Sequence, residues 1–207
     1  MKKAIITGGS SSHQHFFTNK NGKYGKFFDK KIYLLDLKDE SLEGFDYVVM
    51  ASRLHPKFVL ENKEKLLNYL QKGGNLVIFP DLCERLFDFI KYEFSPVNFW
   101  WWILPGADLY LYKVDEKADF WRFLELRECK WHYHGIFKHD SKTEKIIADS
   151  LGYSVLCKDA HHFKGNIYFS ALDPDFHLGQ GFMPTTEPFF DKLMQWVEFD
   201  LSKKKKA

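Results

Sequence analysis

The sequence predicts an α/β domain of three layers, with a mostly parallel central sheet and helices on both faces. Three observations predict it. Residues Gly44 to Pro80 read strand, helix, strand, the pattern of a right-handed βαβ unit. An N-terminal strand runs straight into Gly8-Gly9-Ser10, a small-residue loop of the kind that opens the ligand crevice of doubly wound folds. The chain has 207 residues, 45% hydrophobic and 18% aromatic with 21 Phe, enough for one large core.

The elements follow in order. Lys3 to Thr7 is the first strand. Phe16 to Phe28 is helical or irregular, because Asn19, Asn21, Gly22 and Gly25 interrupt a continuous helix. Ile32 to Leu37 is the second strand. Asp46 to Ala51 is apolar and β-branched, as a strand buried on both faces must be. Pro56 can open a helix because its missing N–H has no partner there in any case. That helix runs to Lys72, with Phe58, Leu66, Leu67 and Leu70 on one face and Glu61, Lys63, Glu64 and Lys65 toward water. Gly73-Gly74 ends it, and Leu76 to Phe79 is the fourth strand. Leu82 to Tyr92 reads as helix, Ala107 to Val114 as an edge strand, Glu116 to Leu126 as a short helix, and Arg127 to His139 as irregular. Lys145 to Ala148 and Tyr153 to Cys157 are strands joined by Asp149-Ser150-Leu151-Gly152, which suits a hairpin. Ile167 to Leu172 is the last strand. A loop from Asp173 to Pro184 leads to a final helix, Thr185 to Phe199, with Phe189, Leu193, Trp196 and Val197 toward the sheet. Residues 1–200 therefore form a single domain, and residues 201–207 form a lysine-rich tail.

The formal charge is +2, and four of the positive charges are Lys203 to Lys206, so the body carries about −2 by subtraction. A body of that charge has no basic field for nucleic acid. Cys83, Cys129 and Cys157 are odd in number and widely spaced, so they form neither a disulfide framework nor a metal knuckle. No apolar run reaches membrane-spanning length, and Met1-Lys2-Lys3 leads into a strand rather than a signal-peptide core. The expectation is a cytoplasmic protein with no membrane and no nucleic-acid partner.

The first strand with its glycine pair, Phe45–Phe79 and Lys164–Pro184 together resemble the class I glutamine amidotransferase-like superfamily, a flavodoxin-like α/β fold. The resemblance covers most of the chain in topology. It implies a nucleophilic cysteine in a tight turn after the strand that follows the Gly-Gly, activated by a histidine that a carboxylate orients. That elbow falls at Phe79 or Pro80, neither of which is a nucleophile. Proline would also remove an N–H needed for an oxyanion. Cys83 lies about a turn further on and reads as a small core residue. The His-Pro-Glu of the family aligns with Asp173-Pro174-Asp175, so the general base is missing too. The resemblance thus implies a member without the Cys-His-Glu triad and without glutaminase activity. In that it is similar to ThuA-type sugar-metabolism proteins and to the trimerisation domain of some β-galactosidases.

Ligands of an open parallel sheet bind beyond the carboxyl ends of its strands. Gly8–His15, Ser52–His55, Pro80-Asp81 and Asp173–His177 should converge there, and His134-Gly135 can enter from the second half of the chain. The first reading is a small polar ligand, for instance a carbohydrate derivative, bound by Arg53, His55, Asp81, His134, Asp173, Asp175 and His177. Arg53 and His55 would hold its carboxylate or phosphate beside the helix that starts at Pro56. The second is a divalent metal, zinc or manganese, for hydrolysis through an activated water. Its ligands would be His13, His15, Asp173, Asp175 and His177; His13-x-His15 and His132-x-His134 each place two imidazoles on one side of an extended segment. The third is an assembly domain in which the aromatic patch around Trp100-Trp101-Trp102 makes a homo-oligomer contact. Against all three stands a bland alternative. Loops after strands carry His and Asp as turn and capping residues, and Asp173-Pro174-Asp175 is good turn chemistry.

Overall fold

A computed structural model describes residues 1–19, 21–80, 86–95 and 103–204. Asp81, Cys83 and Trp100-Trp101-Trp102 lie outside the described residues. The strands are β1 (Lys3–Thr7), β2 (Lys30–Tyr33), β3 (Tyr47–Met50), β4 (Asn75–Ile78), β5 (Ile90–Phe94), β6 (Tyr112–Lys113), β7 (Gly135–His139), β8 (Glu144–Ala148), β9 (Ser154–Asp159) and β10 (Ile167–Ser170). The helices are α1 (Ser11–His13), α2 (Lys23–Phe27), α3 (Pro56–Glu61), α4 (Lys63–Gln71), α5 (Pro174–Gly179) and α6 (Thr186–Lys204).

The strands form one sheet of order β2-β1-β3-β4-β10-β9-β7-β5, with β8 paired to β9 and β6 to β8 off that path. Strands β2, β1, β3, β4 and β10 are parallel to one another. The other ladders are antiparallel. The expected mostly parallel sheet is thus a mixed one. Parallel neighbours need a crossover of a dozen residues or more, usually a helix. The chain from β7 to β10 uses short turns instead. Asp149 Oδ1 accepts the N–H groups of Leu151 and Tyr153 (3.0 and 2.8 Å), and Gly152 takes φ +82°, closing the β8–β9 hairpin.

Other elements also shift from the sequence reading. The second strand ends at Tyr33, and Leu34–Asp39 coils into a 3-10 helix that buries Leu34 and Leu37, three residues apart on one face. The Pro56–Lys72 helix is two helices, α3 and α4, broken at Asn62, whose side-chain amide donates back to the Phe58 carbonyl. Of the expected Leu82–Tyr92 helix, Leu82 to Arg85 lie outside the described residues, Leu86 is helical and Ile90–Tyr92 belongs to β5; β7 occupies the end of the supposedly irregular Arg127–His139. The expected edge strand is reduced to the two residues of β6. The final helix continues to Lys204, and Lys203 pairs with Asp119. Phe189, Leu193, Trp196 and Val197 are buried against the sheet as expected. Polar handles fix α6 in place: Tyr47 Oη donates to Glu198 (2.9 Å) and Tyr168 Oη to Asp200 (2.6 Å).

One buried network ties the carboxyl ends of three strands together. His13, just after β1, accepts the Gly8 N–H on Nδ1 (2.9 Å) and donates Nε2–H to the Ser52 carbonyl after β3 (2.8 Å). Asp175, in α5 after β10, accepts from the Ser52 N–H (2.9 Å) and Oγ–H (3.0 Å) on Oδ2. Close backbone contact presses α5 onto α1: a Cβ on Gly179 would stand 2.3 Å from the Ser12 carbonyl oxygen.

Two stability changes follow from this packing. Gly179→Ala should lower the unfolding free energy by about 1–3 kcal/mol, since the clash is with backbone that cannot rotate away. Asp175→Ala should cost about 1–3 kcal/mol by leaving the Ser52 donors buried without an acceptor. Urea unfolding curves of the purified variants check both.

Candidate functional site

β3 delivers Ser52 and Arg53 to the crevice. Arg53 has a left-handed backbone (φ +56°), which a residue with a Cβ adopts only at a cost. β10 delivers Asp173, which precedes α5, and α5 carries His177 four residues on. The third contributor comes from the second half of the chain. Phe137 lies opposite Ser154, and Leu156 opposite Ser170, so the stretch entering β7 lies beside the carboxyl end of β10. That stretch is Trp131 to His134.

The side chains form one connected group. Arg53 Nη2 donates to His134 Nε2 (3.2 Å) and to Asp173 Oδ2 (3.4 Å). The guanidinium carbon lies 3.7 Å from the centre of the Phe176 ring, a stacked cation–π arrangement. His177 Nδ1 is 3.1 Å from both the carbonyl oxygen and Oδ1 of Asp173. The His132 and His134 rings meet edge to face, with centroids 4.4 Å apart. Trp131 and Phe182 wall in His177 at 5.5 and 5.1 Å. Burial, with Arg53 and the other imidazoles adding repulsion, pushes His132 down to about 4 and His134 down to about 3. Both are therefore neutral at pH 7. Burial also raises the Asp173 carboxyl to about 6, against the opposing pull of His177 and Arg53.

Among the described residues, His132, His134 and His177 form a group close enough to hold a metal ion, with one nitrogen of each within 4.8 Å of the others. Of the metal set expected from sequence, His177 is in this group. His13 is buried with both nitrogens engaged in the strand-end network, and His15 is exposed, bonding the Gly179 carbonyl at 3.2 Å. Asp175 is fully buried beside Ser52, where burial raises its carboxyl. Of the expected ligand-binding set, Arg53, His134, Asp173 and His177 come together. His55 stays exposed at the start of α3, its ring 5.0 Å from Phe58. The ring of Phe176 and the imidazole of His132 complete the site. The alternation His132-x-His134 just ahead of Gly135 was the signal for the second; for Phe176 the sequence carried none.

A separate cavity of about 850 Å³ opens at the opposite, amino-terminal ends of β3 and β4, between residues such as Glu43, Lys65, Tyr69 and Lys164. Its lining holds no imidazole, and among its carboxylates Glu43 is held below the ordinary range by the hydrogen bond from Lys72.

No protein-family profile matches the sequence, and no curated protein sequence matches it. Solved structures do resemble the fold. A cytoplasmic protein from Salmonella typhimurium LT2 superposes with a TM-score of 0.57 at 12% identity, over 95% of this chain and 99% of that one. A glutamine amidotransferase from Thermotoga maritima superposes with a TM-score of 0.52 at 11% identity, over 99% and 85%. A β-galactosidase from Bacillus circulans gives 0.46 at 14% identity; there the chain covers only 30% of the larger protein. The fold, a mixed α/β sheet with helices, is similar to those of the Salmonella protein and the Thermotoga glutamine amidotransferase, and among the described residues no helix is long and apolar enough to cross a membrane.

Proposed function

We propose that the crevice recognises a small polar ligand with an anionic group, on a glutamine amidotransferase-like domain that lacks glutaminase activity. Arg53 carries this reading. Its guanidinium is held in place by Phe176, Asp173 and His134, yet 36% of the side chain remains exposed. The contacts described engage Nη2, which leaves the rest of the planar fork for a carboxylate or phosphate. The left-handed backbone adds about 1 kcal/mol of strain that a surface ion pair does not require. A sugar phosphate or sugar acid fits this chemistry, with the rim ring of Phe182, 36% exposed, as an apolar face.

The elbow carries no glutaminase nucleophile. Phe79 is fully buried where a nucleophile would follow β4, and Pro80 comes next. Cys129 and Cys157 are buried elsewhere, with the Cys129 thiol pushed well above its ordinary range. The test is a thermal-shift screen with sugar phosphates and sugar acids, run beside a glutamine hydrolysis assay. A stabilising anion and no ammonia release are expected. Release of ammonia at rates that depend on enzyme concentration would overturn the reading.

Two substitutions separate recognition from folding. Arg53→Gly removes the fork but suits the left-handed backbone. It should melt close to the parent while the anion binds about tenfold or more weakly, the loss of roughly 1.5–3 kcal/mol from a charge-assisted bond, as titration calorimetry would read. Asp173 is more informative still. Its folded value of about 6 lies above the ordinary 3.8, so between those values the folded state holds a proton that the unfolded chain has released. Ionisation therefore costs stability above about pH 6, and the cost vanishes toward pH 4. Asp173→Asn should be more stable than the parent at pH 7.5 by on the order of 1–3 kcal/mol. The advantage should shrink at pH 5, a pattern expected where a residue is kept for binding rather than for stability.

A further inference from the structure

The geometry points to a three-histidine zinc site in the crevice, formed by His132, His134 and His177, whose occupation releases Arg53 for the anionic ligand. The donors converge from two unconnected segments. His132 and His134 sit on the extended stretch before β7, and His177 on α5, with one nitrogen of each within 4.8 Å of the others. Tetrahedral zinc with Zn–N bonds near 2.05 Å needs nitrogens about 3.3 Å apart, so contraction by about 1.5 Å at most completes the set. Three imidazoles with a fourth position open to water or a ligand oxygen is a composition that zinc accepts.

A second observation is independent of proximity. Asp173 sits behind His177, with its carbonyl oxygen and Oδ1 each 3.1 Å from Nδ1. The hydrogen bond to the carbonyl oxygen, with Oδ1 beside it, places the ring proton on Nδ1 and leaves the Nε2 lone pair to a metal, as outer partners do behind metal-bound histidines. Asp173 is thereby a positioning residue and not a ligand. Trp131 and Phe182 hold the same ring from the sides, so its orientation is fixed before any ion arrives.

The coupling to Arg53 follows from lone-pair counting. A neutral imidazole has a single acceptor nitrogen. His134 Nε2 lies 3.2 Å from Arg53 Nη2 and 3.4 Å from Asp173 Oδ2; since the guanidinium can only donate, the Nδ1–H tautomer spends its one acceptor on Arg53. Zinc bound at that lone pair removes the acceptor, and the Nη2–H turns to whatever anion lies in the crevice. Zinc and anion then favour each other's binding, and by linkage the effect is reciprocal. The metal site stands by itself; only this coupling rests on the anion-recognition reading of Arg53.

The experiment is zinc titration of the chelator-stripped full chain at pH 7.5, with cobalt substitution read by visible absorption. About one zinc per chain and the absorption of tetrahedral cobalt are expected. Binding should weaken about tenfold or more in His132→Gln and His134→Gln, and by a smaller factor in Asp173→Asn. His15→Ala, and His161→Ala in the exposed bend after β9, should bind like the parent. Cobalt bound without the tetrahedral spectrum, zinc held equally by the histidine variants, or no zinc held at all would overturn the site. Reading cobalt on the parent chain keeps the test valid even where a variant fails to fold. Inorganic phosphate, titrated with and without zinc, separates the two readings. Phosphate that binds through Arg53 in a chain that takes up no added zinc overturns the metal site alone. Zinc that binds with no gain in phosphate affinity leaves the site and overturns the coupling.

Discussion

The buried carboxylate of Asp175 is the constraint on which the crevice depends. Its Oδ2 takes both the N–H and the hydroxyl of Ser52, while the Ser52 carbonyl takes His13. One residue after β3 is thereby fastened to the loop after β1 and to the helix after β10. Arg53 is the next residue along, so its unusual backbone is held by the bonds on its neighbour. The other carboxylate oxygen, Oδ1, is buried with no hydrogen-bond partner among the described residues. A buried carboxyl oxygen without a hydrogen-bond partner is expensive, which makes this brace a costly way to join three segments. The two Ser52 donors recover part of that cost, with His13 Nε2 standing 3.9 Å from Oδ2.

The division of labour in the sheet follows from this brace. The parallel half gives the rigid ends from which Ser52, Asp173 and α5 project. The antiparallel half brings the His132–His134 stretch alongside by the stagger of β7 against β9. Neither half holds the site alone. Phe176 and Trp131 then exclude water from one side of Arg53 and His177, which strengthens every charge interaction among them.

Much of the parallel half was legible in the sequence because local signals and tertiary demands agree there. Lys3–Thr7 has the strand limits expected, Pro56 opens a helix, and Gly73-Gly74 closes the next one. The 3-10 turn at Leu34 was not legible, since a run of apolar residues has no period of its own. The antiparallel half failed for a related reason. Ile90 to Phe94 alternates in burial but follows residues that read as helix, and strand partners distant in sequence decide the outcome. The site was legible in part. Topology alone brought Arg53, Asp173 and His177 to the strand ends, while the place of His134 could not be fixed from sequence. The engagement of His13 by two backbone groups could not be foreseen, because any histidine in a loop offers the same two nitrogens.

The separations within the site have a consequence for assembly. Arg53 meets His134 across 81 residues and Asp173 across 120. Chain closures of that length form only when both halves of the sheet have docked. Fragments ending before Trp131 can carry the βαβ unit and the arginine, yet they hold no histidine pair and no Asp173. The crevice is therefore a late product of folding, and a ligand retained there certifies that the whole chain, and not merely its well-patterned first half, has reached the native arrangement.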